Sequence, residues 1–145
     1  MLQQAGDIET LRKRFSWNLP DIYNMAASVS DRWAAKTPDR LAIRHVFADG
    51  KSEDWSHLAL NRAANRLANA LLVKGIRRGD RVALLLPQTP QTAVSHLAIY
   101  KIGAVAVPLA ALFGLEALKY RLNDSGARGL ITDTAGLAKL SDIRD

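Results

Sequence analysis

Three short apolar runs, centred near Ala83, Val105 and Leu130 and about 22 to 25 residues apart, constrain this chain most. A helical stretch follows each run. That alternation predicts an α/β fold of parallel strands joined by right-handed crossovers. The first run, Arg81 to Leu86, follows the turn Arg78-Gly79-Asp80 and is apolar enough to be buried on both faces. Thr89-Pro90 reads as a helix cap followed by proline at the first helical position, for a helix reaching about Ile102 and stopped by Gly103. Ala104 to Val107, closed by Pro108, is the second strand. Gly114 or Leu115 then opens a helix with Leu115, Leu118 and Leu122 on one side and Gly126 at its end. Arg128 to Thr132 is the third strand, and Ala135 to Leu140 begins one more helix.

Upstream the pattern changes. Residues 1–19 are polar, lack periodicity and read as a loosely docked arm; 20–145 read as one α/β unit without an internal linker. From about Pro20 to Ala35, Ile22, Met25, Ala26, Val29 and Trp33 predict an amphipathic helix ended by Thr37-Pro38. Leu41, Ile43, His45 and Phe47 alternate as on a strand, Asp49-Gly50 is a hairpin turn, and Ser52 to Trp55 is the return strand. Ser56 can cap the next helix. Its buried stripe is Leu60, Ala63, Ala64, Leu67, Ala68 and Leu71. Its wet side is Asn61, Arg62, Asn65, Arg66 and Asn69, and Gly75 ends it in left-handed geometry.

Composition narrows the function classes. The 145 residues are 48% apolar and 23% charged, as in soluble globular domains, and contain no cysteine. Thiol catalysis, zinc–thiolate sites and disulfides are therefore excluded. The net charge of +6 is spread along the chain, with tight clusters only at Arg12-Lys13-Arg14 and at Arg77-Arg78 with Arg81. Nucleic-acid binding is not expected from so dispersed a charge. Val82 to Tyr100 is interrupted by prolines, glutamines and His96, and the N-terminus has no apolar run behind its basic residues. No membrane span or secretory signal is expected, and the cytoplasm is the expected compartment.

Open α/β sheets bind ligands beyond the carboxyl ends of their strands. Here those loops are Pro87 to Pro90, Pro108 to Gly114 and Asp133 to Gly136. None is a GxGxxG or GxxxxGK[ST] phosphate cradle. His45, His57 and His96 lack partners at metal-ligand spacing and read as structural or exposed. Asp49, Asp80 and Asp124 sit in turn or helix-end contexts, and Glu53-Asp54 marks an edge strand. The aromatic residues are expected to pack in the core, with Phe15 and Trp17 either stapling the arm or awaiting a partner. The residues alone describe an α/β domain without an autonomous active site.

Four stretches, taken in order, resemble the N-terminal part of AMP-forming acyl-CoA synthetases of the adenylate-forming superfamily. They are Trp33 to Ile43 with its Pro38-Asp39, Trp55 to Leu72, Gly75 to Pro87, and Ile102 to Leu109 followed by Tyr120 to Arg128. Together they cover about residues 20–134. The resemblance implies part of the large N-terminal domain of that fold, with parallel βα layers, an N-terminal helix and a β-hairpin. It implies a parent enzyme that joins a small carboxylic acid to ATP, giving an acyl-adenylate and pyrophosphate, and then transfers the acyl group to CoA. Mg²⁺, ATP and CoA would serve that parent, and none is expected to be held tightly by this chain.

The family's Ser/Thr/Gly-rich phosphate loop, its nucleotide motifs, its hinge and its C-terminal lysine find no match before Asp145, so the chain is expected to be an inactive fragment of a medium-chain-like or acetyl-CoA-like synthetase. In the acetate-activating enzymes a Phe-Gly-Gly near the CoA nucleotide follows the "AVAVPL"-like strand. Phe113-Gly114-Leu115 matches its first two residues. Phe113 and Gly114 are therefore implied CoA contacts; read from the residues alone, they fill the core and start a helix. Where that family carries arginines after the next strand, this chain has Ala138 and Ser141, with Lys139 between them. The alternative is a stand-alone, non-catalytic α/β binding or interaction module. A sheet edge left uncovered is expected to recruit a partner, by dimerisation or domain swapping.

Overall fold

The computed structural model describes residues 6–17 and 19–141. The predicted layers are present. A parallel sheet of β3 (Arg81–Leu85), β4 (Val105–Pro108) and β5 (Gly129–Thr132) runs in the order β4-β3-β5. The hairpin β1 (Leu41–Val46) and β2 (Ser52–Ser56) forms a separate antiparallel pair. Four of the helices are α3 (His57–Val73), α4 (Pro90–Lys101), α5 (Leu115–Ser125) and α6 (Thr134–Lys139).

Central strand β3 explains the layering, because its side chains alternate between two cores. Val82 and Leu84 pack with Ala68, Leu71, Ala98 and Ile99 of α3 and α4. Ala83 and Leu85 pack with Leu118 of α5 and with Leu140 beyond α6. Burial on both faces is what the unbroken apolar run requires. The α3 helix ends as its sequence predicts. Gly75 adopts φ +87°, Ile76 N–H donates to Leu71 C=O at 3.0 Å and Gly75 N–H to Leu72 C=O at 3.0 Å, while Leu71 and Ile76 share one core.

Several details depart from the sequence reading. The helix expected from Pro20 begins at Met25 and passes through a π-helical turn, Ala27–Asp31, before α2 (Arg32–Lys36). Its buried face is Ala26, Ser30 and Ala34, whereas Ile22 (91%), Met25 (50%) and Val29 (55%) are exposed. The small residues let this segment approach Leu60 and Ala64 of α3 closely, which the larger apolar side chains would prevent. Asn61, assigned to the wet side of α3, is buried because Asp31 supplies it a partner.

A bulge between Leu41 and Ile43 separates Leu41 from the alternation of β1 and leaves it exposed. The arm is not wholly irregular. Ile8–Arg14 forms α1, capped by Asp7, and buries none of its residues. Residues 1–5, also read as arm, lie outside the described residues. Tyr23, Phe47 and Tyr120, expected in the core, are exposed, as is Trp17 in the arm. Phe15 and Trp17 pack edge to face on each other, 5.0 Å between centroids.

Candidate functional site

Three loops meet beyond the carboxyl ends of β3, β4 and β5, and main-chain groups hold them in place. Leu109 N–H donates to Leu84 C=O at 2.8 Å, so the chain leaving β4 stays beside β3 before it turns. Thr132 Oγ1 donates to Leu85 C=O at 2.8 Å, which closes the end of β5 onto β3. Asp133 then caps α6, accepting from Gly136 N–H at 2.8 Å. A Cβ at Gly136 would collide with Thr132 Oγ1 and lie 3.2 Å from Leu85 Cδ2. Glycine is thus what allows α6 to start this close to the strand ends. The result is a cavity of about 230 Å³ between Leu86-Pro87, Ala111 and the first turn of α6.

The loop after β3 is braced differently from expectation. Thr89 has the extended backbone of an N-cap, but its side chain makes no capping bond. Thr92 Oγ1 instead donates to Pro87 C=O at 2.6 Å.

The candidate CoA residues lie on the loop between β4 and α5. Phe113 is half-buried against the core around Leu118, with the Arg121 guanidinium carbon 4.2 Å from its ring centroid. Gly114 is exposed and is the N-cap of α5; its φ of −69° and the open space around it do not require glycine. Lys139 Nζ donates to Ala111 C=O at 2.9 Å, so α6 holds this loop two residues before Phe113. Ala138 and Ser141 are exposed, and Ser141 Oγ turns back to Ala138 C=O at 2.8 Å. The structure therefore brings Phe113, Arg121 and Lys139 to one loop. The contributions of Arg121 and Lys139 were missed in the sequence. No local pattern in the sequence points to either contact: each side chain reaches the loop only through the packing of α5 and α6.

The histidines do not line this cavity, but His45 and His96 line another, of about 420 Å³, with Gln88, Thr89 and Pro90 of the loop after β3. His57 stacks on Trp33 at 6.0 Å, and His45 lies against Phe47 at 4.4 Å. His96 Nδ1 is 3.0 Å from Tyr100 Oη, and desolvation holds its imidazole below the ordinary value. No group of three or more His, Cys, Asp or Glu converges among the described residues. Several carboxylates are occupied locally. Arg44 forks onto Asp54 at 2.6 and 2.7 Å, and Asp49 accepts from Lys51 N–H at 3.0 Å. The crevice presents a loop, a helix start and one tethered lysine: groups that bind and position.

Comparison with known proteins supplies the family. The family model described as "AMP-binding enzyme" matches residues 30–145. The chain is 38% identical over 122 residues to an acetyl-coenzyme A synthetase of Escherichia coli K12, covering 83% of this chain and 19% of that protein. It is 29% identical over 137 residues to the human mitochondrial acyl-coenzyme A synthetase ACSM3, covering 90% of this chain and 23% of that protein. Among solved structures, a Brucella canis acyl-CoA synthetase superposes with a TM-score of 0.81 at 30% identity, over 95% of this chain and 25% of that one. The chain thus spans about a fifth to a quarter of the length of the relatives it matches. With the family model matching residues 30–145 and the fold shared with a solved synthetase, the chain belongs to the AMP-binding enzyme family.

Proposed function

We propose that these residues form the N-terminal part of an AMP-forming acyl-CoA synthetase. The match of the family model across residues 30–145 carries this reading. The parent reaction activates a small carboxylic acid with ATP. A carboxylate oxygen is a poor leaving group and AMP a good one, so the acyl-adenylate lets the CoA thiol displace AMP. ATP enters with its Mg²⁺ as substrate. Among the described residues no group of three or more acidic, His or Cys side chains converges to hold that ion.

In this reading the chain contributes scaffold and one wall of the CoA site, and its 145 residues alone do not adenylate. Phe113 and Gly114 face the CoA nucleotide, and the Lys139 tether holds their loop. The loop's position at the carboxyl ends of parallel strands supports that role. The enzyme is cytoplasmic and takes no nucleic-acid partner. Bonds that occupy the basic residues support the second point: Arg77 donates to Leu72 C=O, Arg81 to Ser125 C=O and Arg128 to Asp80. No helix among the described residues is long and apolar enough to cross a membrane.

The test is acid-dependent ATP–pyrophosphate exchange, measured on the 145-residue chain and on whatever longer product the gene encodes past codon 145. Exchange by the longer product and none by this chain is the expected result. In that product, Phe113→Ala should raise KM for CoA and leave exchange unchanged. Exchange by the 145 residues alone, or a longer product that activates no acid, would overturn the reading.

A further inference from the structure

Arg44 and Arg128 end on the carboxylates of Asp54 and Asp80, and Arg77 and Arg81 end on main-chain carbonyls at the close of α3 and α5. Arg121 is held just as firmly but has no counter-charge. Its guanidinium carbon stands 4.2 Å from the Phe113 ring centroid, and Nη1 donates to Ala117 C=O at 3.1 Å, one turn earlier on α5. Those two contacts orient the group and use one N–H, which leaves its other donors free on an exposed side chain. Glu116 and Asp124, the acids of α5, do not pair with it. Lys139 Nζ, bonded to Ala111 C=O on the same loop, also has no carboxylate partner, because Asp133 beside it is turned to Gly136 N–H. The loop of Phe113 is therefore flanked by two positioned cations that no acid of the described residues neutralises.

We propose that Arg121 receives a phosphate group of the CoA nucleotide while it lies on the Phe113 ring. This rests on the reading that the loop walls the CoA site. CoA carries its thiol on an adenine nucleotide with several phosphate charges, and a site for it needs cations not already taken up by the protein's own acids. A guanidinium suits that task, because it is planar and meets phosphate oxygens with a pair of parallel N–H bonds. Stacking removes none of those donors: they lie in the plane of the group, and the ring lies against its face. The loop thus sets an aromatic ring and an oriented cation side by side. Lys139 adds charge at the base of the loop, while its bond to Ala111 C=O holds the loop to α6. Arg121 acts on binding and not on the displacement of AMP, so its loss belongs in KM for CoA.

The test is thioester formation by the product the gene encodes past codon 145, with CoA and with pantetheine, the same thiol arm without phosphates, as acceptors. Arg121→Ala should raise KM for CoA about tenfold, as expected for one charge-assisted phosphate contact, with little change in kcat. Its kcat/KM for pantetheine should not move. Arg121→Lys keeps the charge but loses the planar fork, and should fall between the two. Arg32→Ala is the control: Arg32 lies 5.6 Å over Trp33, the other guanidinium over a ring among the described residues, and its loss should leave KM for CoA as it is. An unchanged KM for CoA in folded Arg121→Ala overturns the proposal. So does an equal fall in kcat/KM for pantetheine, which would mark a brace for the loop and no phosphate contact. If Arg121→Ala does not fold, Arg121→Lys decides by the same comparison. ATP–pyrophosphate exchange separates two kinds of failure. A product that exchanges but shows no Arg121 effect on CoA refutes this assignment alone; one that exchanges nothing refutes the reading beneath it, and this assignment with it.

Discussion

Asn61 Nδ2 donates to Asp31 Oδ1 over 2.7 Å, joining the first half of α3 to the π-helical turn. Asp31 also takes Lys101 Nζ from the end of α4, and Asn65 Nδ2 donates to Asn61 Oδ1 at 2.8 Å. One carboxylate thus ties three helical segments. Asn61→Ala removes a buried bond while Lys101 keeps Asp31 paired. A loss of about 1–3 kcal/mol is expected from urea unfolding, and Asn65→Ala, on an exposed side chain, should cost less.

Gly136→Ala should be more damaging than an ordinary glycine replacement in a helix. The new methyl meets Thr132 Oγ1 and the Leu85 side chain, so α6 must move off the strand ends. Overpacking of this kind costs about 1–3 kcal/mol. Hydrogen exchange should show protection lost first in α6 and in the loop that Lys139 tethers.

Two capping residues give a smaller, local effect. Ser56 Oγ accepts from Ala59 N–H at 3.2 Å and Asp133 Oδ1 from Gly136 N–H at 2.8 Å. Replacing either by alanine should lower the unfolding free energy by about 1 kcal/mol. The same Ala exchange at Thr89, whose side chain does not cap, should change stability little.

Acid should weaken the fold through Asp80. The Arg77 N–H at 2.7 Å, and then the Arg128 guanidinium, hold its carboxyl below the ordinary carboxylate range. A depressed folded value contributes stability that is fully present above the unfolded value of about 3.9. That contribution is lost as pH falls through the folded value. Asp54 beside Arg44 and Asp49 beside Lys51 act in the same direction. Denaturant midpoints measured from neutral pH down to acid should fall, and Asp80→Asn should flatten that profile while lowering stability at neutral pH.

The sheet was legible because β3 is apolar at every position from Val82 to Leu85, and because turn glycines separate the units. Ser56 and Gly75 were legible as caps for the same reason: each acts on backbone groups within a few residues. The candidate site was legible only in part. The loop carrying Phe113 and Gly114 could be placed at the strand ends, but the Arg121 contact and the Lys139 tether depend on how α5 and α6 come back to it.

Period alone could not choose the buried face of the segment before α2. Ile22, Met25 and Val29 satisfy helical spacing as well as Ala26, Ser30 and Ala34 do, and the small residues are the ones buried. Local patterning by itself determined which segments are strands and helices, because backbone bonding and alternation act over a few residues. Tertiary structure decided which faces are covered, that Asn61 is buried, and that Lys139 reaches the loop before Phe113. Each of those outcomes depends on partners brought together from distant parts of the chain, and only packing selects them.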